Sequence, residues 1–312
     1  MNIKHLILAV ATALGATAQA ADSLDLSRYQ LAASYKLDTL GGMGLEASAV
    51  TYARDRGTLF FVGDEGTGVV EISRTGQTLG SMSFSNWPSA SSNHDAEGLT
   101  YLDNGVLVVA EERLQDAYKF TYQAGGSVAL ANAPSVSFGN TVGNVGTEGI
   151  SYDPRNGSFV TVKQDNPQAV LAGNLSFAAG GGVSSLQALF NADAKLGLAS
   201  LSDVQTLSPV DSLIGTAAAD NLLILSLDSR KLIEINRSGQ VLSTFDLSGI
   251  TTQAIEGVTV DEKGVIYLVA EDSGTPNSKL FVLTAVPEPE SYAMLLAGLL
   301  GVAWRVRRQR GN

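Results

Sequence analysis

The chain has 312 residues, of which 45% are apolar, with 33 Gly, no Cys and a formal charge of −11. Such an apolar share supplies a sizeable core and excludes a disordered chain, and the many glycines with only 16% charged residues suit short strands joined by tight turns. The acidic balance argues against nucleic acid or anionic lipid as partners and favours solubility or cation binding.

Residues 1–20 read as a secretory signal peptide. Lys4 gives the positive start, Leu6 to Ala16 the apolar stretch, and Ala18-Gln19-Ala20 a small-x-small cleavage site. Export through the Sec machinery then leaves a mature chain beginning near Ala21. Exported proteins often carry disulfides, and with no Cys this one must draw stability from packing or bound metal.

An alternating run, Leu31, Ala33, Tyr35 and Leu37, predicts a strand with no repeat of its own. After it, one phrase returns at intervals of about fifty residues, a spacing typical of radial or stacked repeats. Asp95-Ala96-Glu97-Gly98-Leu99-Thr100-Tyr101 is its fullest version, and Thr147-Glu148-Gly149-Ile150-Ser151-Tyr152 and Ile255-Glu256-Gly257-Val258-Thr259-Val260 follow it closely. Ser48-Ala49-Val50-Thr51-Tyr52 and Ser202-Asp203-Val204-Gln205-Thr206 keep the frame with the carboxylate lost or displaced.

Each phrase opens a series of short apolar runs separated by turns such as Asp55-Arg56-Gly57, Asp103-Asn104-Gly105 and Asp153-Pro154-Arg155-Asn156-Gly157. Four strands in the first repeat, from Ser48 to Phe84, make one propeller blade. The region Leu186 to Leu196 reads as a short helix inserted between blades. The last repeat stops one strand short, a deficit that the unpaired N-terminal strand would fill while removing both sheet edges. The predicted fold is an all-β propeller of five blades, with six as the alternative, in a domain spanning 21–285.

Residues 286–312 have a different character. Val286-Pro287-Glu288-Pro289-Glu290-Ser291 precedes an apolar run from Tyr292 to Trp304, followed by Arg305, Arg307, Arg308 and Arg310. The prolines prevent helix upstream, the apolar run is helix-forming, and arginines stay on the cytoplasmic side of a membrane. The order closely resembles the PEP-CTERM sorting signal of Gram-negative bacteria, with Pro287, Glu288 and Pro289 as its motif and Arg305, Arg307 and Arg308 in its basic cluster. The resemblance implies a short membrane helix in the precursor, cleavage by an exosortase, and delivery to the cell surface or extracellular matrix, with exopolysaccharide or another surface protein as partner. Without Lys4, the four tail arginines, Glu288 and Glu290, the mature charge is about −14.

Within the repeats, Lys163-Gln164-Asp165-Asn166-Pro167, Leu227-Asp228-Ser229-Arg230-Lys231-Leu232 and Ile266-Tyr267-Leu268-Val269-Ala270-Glu271 join the Glu-Gly phrases in resembling the SdiA-regulated, YjiK-like β-propeller family over about Ala32 to Leu283. The resemblance implies the fold and transfers no reaction.

In a propeller, a repeated carboxylate becomes a ring around the axis. Glu97, Glu148, Asp203 and Glu256 open the innermost strands, and Glu111 and Glu271 stand out in a second set that follows the second strands, with Asp64, Glu65, Glu112, Asp165, Asp228 and Asp272. Converging carboxylates need a cation or basic partners, and oxygen-only ligands favour a hard ion such as Ca²⁺. The competing architectural role is to accept backbone N–H groups of the next blade. No catalytic residue is assigned: the mature chain has one histidine, His94, and no Gly-x-Ser-x-Gly elbow. The sequence therefore points to a surface or matrix binding protein with a divalent-cation site. The alternative is a metal-dependent, phytase-like phosphoesterase or esterase, with Lys163, Arg113 or Arg230 as charge partners.

Overall fold

The computed structural model describes residues 23–88, 94–141, 143–271 and 277–286, together with Gly298. The signal peptide, Asp272 and the sorting segment from Pro287 to Arg310 lie outside the described residues apart from Gly298. No helix among the described residues is long and apolar enough to cross a membrane.

In chain order the strands are β1 (Tyr29–Lys36), β2 (Ala47–Ala53), β3 (Thr58–Gly63), β4 (Gly68–Ile72), β5 (Thr78–Ser85), β6 (Ala96–Tyr101), β7 (Val106–Glu111), β8 (Asp116–Thr121), β9 (Ser127–Ala129), β10 (Ser135–Ser137), β11 (Thr147–Asp153) and β12 (Ser158–Lys163). They continue with β13 (Ala169–Gly173), β14 (Leu175–Ser176), β15 (Val183–Ser184), β16 (Gln187–Asn191), β17 (Asp203–Thr206), β18 (Leu222–Ser226), β19 (Lys231–Ile235), β20 (Val241–Asp246), β21 (Ala254–Val260), β22 (Ile266–Glu271) and β23 (Lys279–Ala285).

Five blade sheets emerge from this series, with β14-β15 as a separate two-stranded pair. The first is β2-β3-β4-β5, extended at its outer edge by β9, which pairs parallel to β5. The second is β6-β7-β8-β10, the third β11-β12-β13-β16, the fourth β17-β18-β19-β20, and the fifth β21-β22-β23-β1. The N-terminal strand thus completes the last blade, with Tyr29 opposite Ala285 and Lys36 opposite Lys279. The turns explain the hairpins. Asn104 and Gly105 both take positive φ, 49° and 80°, between β6 and β7, as a two-residue primed turn requires.

The count of five is fixed by packing as well as pairing. Every residue of β2, β4 and β18 is buried, whereas the outer strands β1 and β20 are largely exposed. The buried side chains form five clusters, and each joins two neighbouring blades. Phe60 and Val62 of the first blade meet Leu107 and Tyr118 of the second, Val108 meets Ile150, Val162 meets Ile224, Leu225 meets Leu268, and Val269 returns to Phe61. The circle closes after five interfaces, which excludes a sixth blade.

One expectation needs correction. Gln187–Asn191 is strand β16, the fourth strand of the third blade, and only Ala192–Lys195 is helical (α1). Its strand pairing with β13 outweighs the helix-favouring Ala and Leu residues in the run. The inserted element is the small β14-β15 hairpin before it.

Candidate metal centre at the axial mouth

The repeated Glu-Gly pair has a local cause. In β2, β6, β11 and β21 the register with the second strand slips at one position, which leaves Ser48, Glu97, Glu148 and Glu256 as the extra residue of a bulge. A bulge frees its residue from the ladder and re-aims the side chain. The following glycine is required by close approach. A Cβ on Gly149 would lie 2.4 Å from Asp203 Oδ1, and one on Gly257 2.8 Å from the Ser48 carbonyl. The inner strand of the next blade occupies that space.

Further along the same strands, a belt of side-chain oxygens ties the blades together. Thr51 Oγ1 accepts from Tyr101 N at 3.0 Å, Thr100 Oγ1 from Tyr152 N at 2.9 Å, and Ser151 Oγ from Thr206 N at 3.0 Å. Thr259 Oγ1 accepts from Tyr52 N at 3.1 Å and donates to Gln205 Oε1 at 2.9 Å, completing the circuit. The belt ties each inner strand to the next below the mouth.

At that mouth, Asp64, Asp95 and Glu97 each offer an oxygen within 4.8 Å of the others. Burial pushes Glu97 well above the ordinary carboxylate range, and Glu148, Glu256, Asp95 and Asp64 add to the effect through their charge. Glu148 is raised by burial, then by Glu112, to which it is hydrogen-bonded, and by Glu256 and Asp95. Glu112 is itself raised by burial, with the bond to Glu148 and the Gly146 N–H opposing. Glu256 is pushed up to about 8 by burial, then by Glu271, Asp64, Glu46 and Asp95. Asp64 also reaches about 8, raised by burial, eased by the Glu65 N–H, and raised again by Glu46 and Asp95. Four of the five blades contribute to this cluster. Arg113 enters it as the ion-pair partner of Asp95 at 2.6 Å.

The expected ligands divide into two groups. Glu97, Glu148, Glu256 and Glu271 act on one another electrostatically and face the same mouth. Asp203 stays with the blade frame: its strand has no bulge at that position, and its oxygens accept Val204 N and Val258 N, both at 2.7 Å, which clamps the fourth blade to the fifth. Glu111, buried and raised to about 7 by burial against the opposing N–H bonds, accepts from Asp95 N and Leu114 N and so positions the Asp95 segment. Asp228 is exposed on the fourth blade.

Asp95 and Glu46 were not anticipated as members. The signal lies in the alignment: Glu46-Ala47-Ser48 and Asp95-Ala96-Glu97 occupy equivalent places before and at the bulge. The hydroxyl belt was equally legible as the Thr or Ser three residues after the bulge. His94 does border the mouth, stacked on Trp87 at 4.7 Å, in a pocket of about 400 Å³ with Asp64, Asp95 and Arg113. Burial lowers its pKa. The basic residues expected for a phosphoesterase are dispersed. Lys163 Nζ donates to the Asp165 and Pro167 carbonyls, Arg230 to the Thr251 carbonyl, and Arg113 is paired with Asp95.

Fold and mouth together define a five-bladed β-propeller, closed by its N-terminal strand, with carboxylates gathered at one end of the axis. Residues 21–281 match the SdiA-regulated family, and the chain belongs to it. Residues 285–308 match the PEP-CTERM protein-sorting motif, so the protein is exported through a membrane-anchored precursor that an exosortase processes. Among solved structures, the chain is similar to a luciferin-regenerating enzyme at 10% identity, covering 81% of this chain and 96% of that one, with a TM-score of 0.46. It is similar to a streptogramin B lyase at 9% identity, 85% and 100% coverage and a TM-score of 0.43. The β-propeller domain of Myceliophteria thermophila Cps50 (Swd1) follows at 12% identity, 80% and 71% coverage and a TM-score of 0.37. No activity or ligand is carried over from likenesses at this level.

Proposed function

We propose that the processed protein is a cell-surface or extracellular-matrix binding protein whose axial mouth holds a divalent cation, Ca²⁺ by the chemistry of its ligands. The observation that carries this reading is the grouping of Asp64 of the first blade with Asp95 and Glu97 of the second, whose oxygens lie within 4.8 Å of one another, while Glu148 and Glu256 act on Glu97 through their charge. Enclosed like charges repel and lose hydration, so the arrangement costs stability unless protons or a cation neutralise it. Oxygen-only donors at variable distances suit Ca²⁺, which takes about 6–8 oxygens, with Glu148, Glu256 and water available to complete the shell. Mg²⁺ demands a stricter octahedron and binds less well to such a set.

Calorimetric titration of the calcium-stripped protein with Ca²⁺ and Mg²⁺, alongside thermal denaturation, tests the proposal. The expected result is a rise in Tm with millimolar Ca²⁺ that Asp64→Asn and Glu97→Gln remove. An unchanged Tm and no heat of binding sink the metal. A phosphatase and esterase screen of wild type and Glu148→Ala separates binding from catalysis, since a binding protein turns over nothing in either form.

A further inference from the structure

A second cavity lies at the other end of the axis, where the inner strands finish. It encloses about 470 Å³, inside the range of roughly 300–1,000 Å³ usual for small-molecule sites. Its floor is the hydroxyl belt, and its walls carry Tyr52, Tyr101 and Tyr152 from three successive blades with Pro154 and Pro209.

The floor has unspent hydrogen-bond donors. Ser151 shares its hydroxyl with Thr206, and Thr259 gives its proton to Gln205. Thr51 and Thr100 each accept one backbone N–H, and among the hydrogen bonds of the described residues neither donates its own proton. Both are more than nine-tenths buried, at 5% and 4% exposure, and both line the cavity. A buried donor without an acceptor is costly, and a ligand oxygen would complete it. The walls are held in place independently of any ligand. Tyr52 OH donates to Glu262 at 2.5 Å, and Tyr101 OH donates to Asp55 and accepts from Gly105 N.

Charge narrows the ligand class. The floor carries none. At the rim, Arg54 is engaged by Asp211 at 2.6 Å and by the Pro209 carbonyl, and Asp55 accepts from Tyr101 and Asn104 N. Asp103 adds a further negative charge beside them. An anion therefore meets an acidic rim with its one arginine already paired, and a cation meets hydroxyl donors. A neutral molecule with several oxygens and a flat C–H face satisfies both floor and walls.

We propose that this cavity binds one ring of a neutral saccharide, its oxygens taking the Thr51 and Thr100 protons and its C–H face lying against the tyrosine and proline wall. The proposal rests on the reading of the chain as a binding protein and is independent of the cation at the other mouth.

Saturation-transfer NMR on the processed protein tests it, with methyl glucosides, galactosides and mannosides as probes and glucuronate as the anionic comparison. At least one neutral glycoside should receive saturation. Thr100→Val should weaken that binding about tenfold, the order expected for one lost hydrogen bond in a closed site, and Thr100→Ser should restore it. Thr100→Val also removes a contact between blades, so Asp103→Trp, which fills the exposed rim and leaves the belt intact, provides a second variant. It should abolish glycoside binding and leave the Ca²⁺ response of the far mouth unchanged. No saturation from any neutral probe, binding that survives Asp103→Trp, or preference for glucuronate overturns the proposal. Turnover in the hydrolase screen would instead count against the binding reading itself.

Discussion

Glu97→Gln is the sharpest perturbation of the acidic mouth, because it removes a charge and leaves the shape. Glu97, Glu148, Glu256 and Asp64 all hold protons more tightly in the folded protein than in the unfolded chain. Between the ordinary glutamate value of 4.5 and the folded value of about 8 for Glu256, the native state binds more protons. Calcium-free stability therefore falls as pH rises through that window. Below it both states are protonated and nothing is lost. Raising one carboxyl from 4.5 to about 8 costs about 5 kcal/mol above pH 8, at about 1.4 kcal/mol per unit.

Solvent screening and relaxation reduce such a penalty to roughly 2 kcal/mol for a carboxyl of this kind, or about 4–8 °C in a domain of this size. Differential scanning calorimetry in chelator should find Glu97→Gln more stable than wild type by that amount near pH 8, with the two converging near pH 4.5. Saturating Ca²⁺ should raise wild type above the variant. A wild-type Tm that stays level from pH 5 to 8, or a variant less stable in chelator at pH 8, refutes the electrostatic reasoning.

Gly149→Ala forces a Cβ to 2.4 Å from Asp203 Oδ1 and should cost about 1–3 kcal/mol or more in urea denaturation, whereas Gly249→Ala, with open space around it, should stay within about 0.5 kcal/mol. Starting the mature chain at Leu37 deletes β1 and bares the β23 edge, so size-exclusion chromatography should show aggregates in place of a monomer. Replacing Pro287-Glu288-Pro289 should leave the precursor uncleaved in its host; normal release on immunoblots would contradict the sorting assignment. β23 runs from the acidic end to the cavity end, and six residues between Ala285 and Tyr292 span at most about 20 Å. In the uncleaved precursor a bulky maleimide should therefore label Glu65→Cys freely and Asp103→Cys slowly, and equal rates would show that the acidic mouth does not face away from the membrane.

Blade number, strand closure and sorting segment were legible because each leaves a pattern along the chain: a returning phrase, an unpaired alternating run, and three tail parts in order. The candidate site was legible only in part. Glu97, Glu148 and Glu256 carry the signature of the bulge in the adjacent glycine, and their convergence follows from radial symmetry. Asp203 has the same place in its repeat but is followed by Val204 instead of a close-approach glycine, and its strand pairs with β18 without a bulge. Its carboxylate consequently stays in the blade frame and accepts N–H groups. Asp95 and Glu46 escaped notice because they precede the strands, and only superposition of the bulges aligns them. Gln187–Asn191 was misread because its strand identity depends on pairing with β13, across a hairpin that no local pattern announces.

The exception in the fourth blade also shapes the chemistry. Four bulges would give four inward carboxylates, but the first blade has Ser48, whose hydroxyl donates to the Ala96 carbonyl at 2.7 Å. Its acids come instead from Glu46 and Asp64 beside the bulge. The mouth is therefore not a symmetric ring. Glu97 lies among charges from its own blade and from the first, third and fifth, whereas in the fourth blade both oxygens of Asp203 accept backbone N–H groups. A symmetric ring would place equal carboxylates around the axis at equal distances. This one brings Asp64, Asp95 and Glu97, among the described residues, within 4.8 Å of one another, so a single cation at that point would relieve their mutual repulsion.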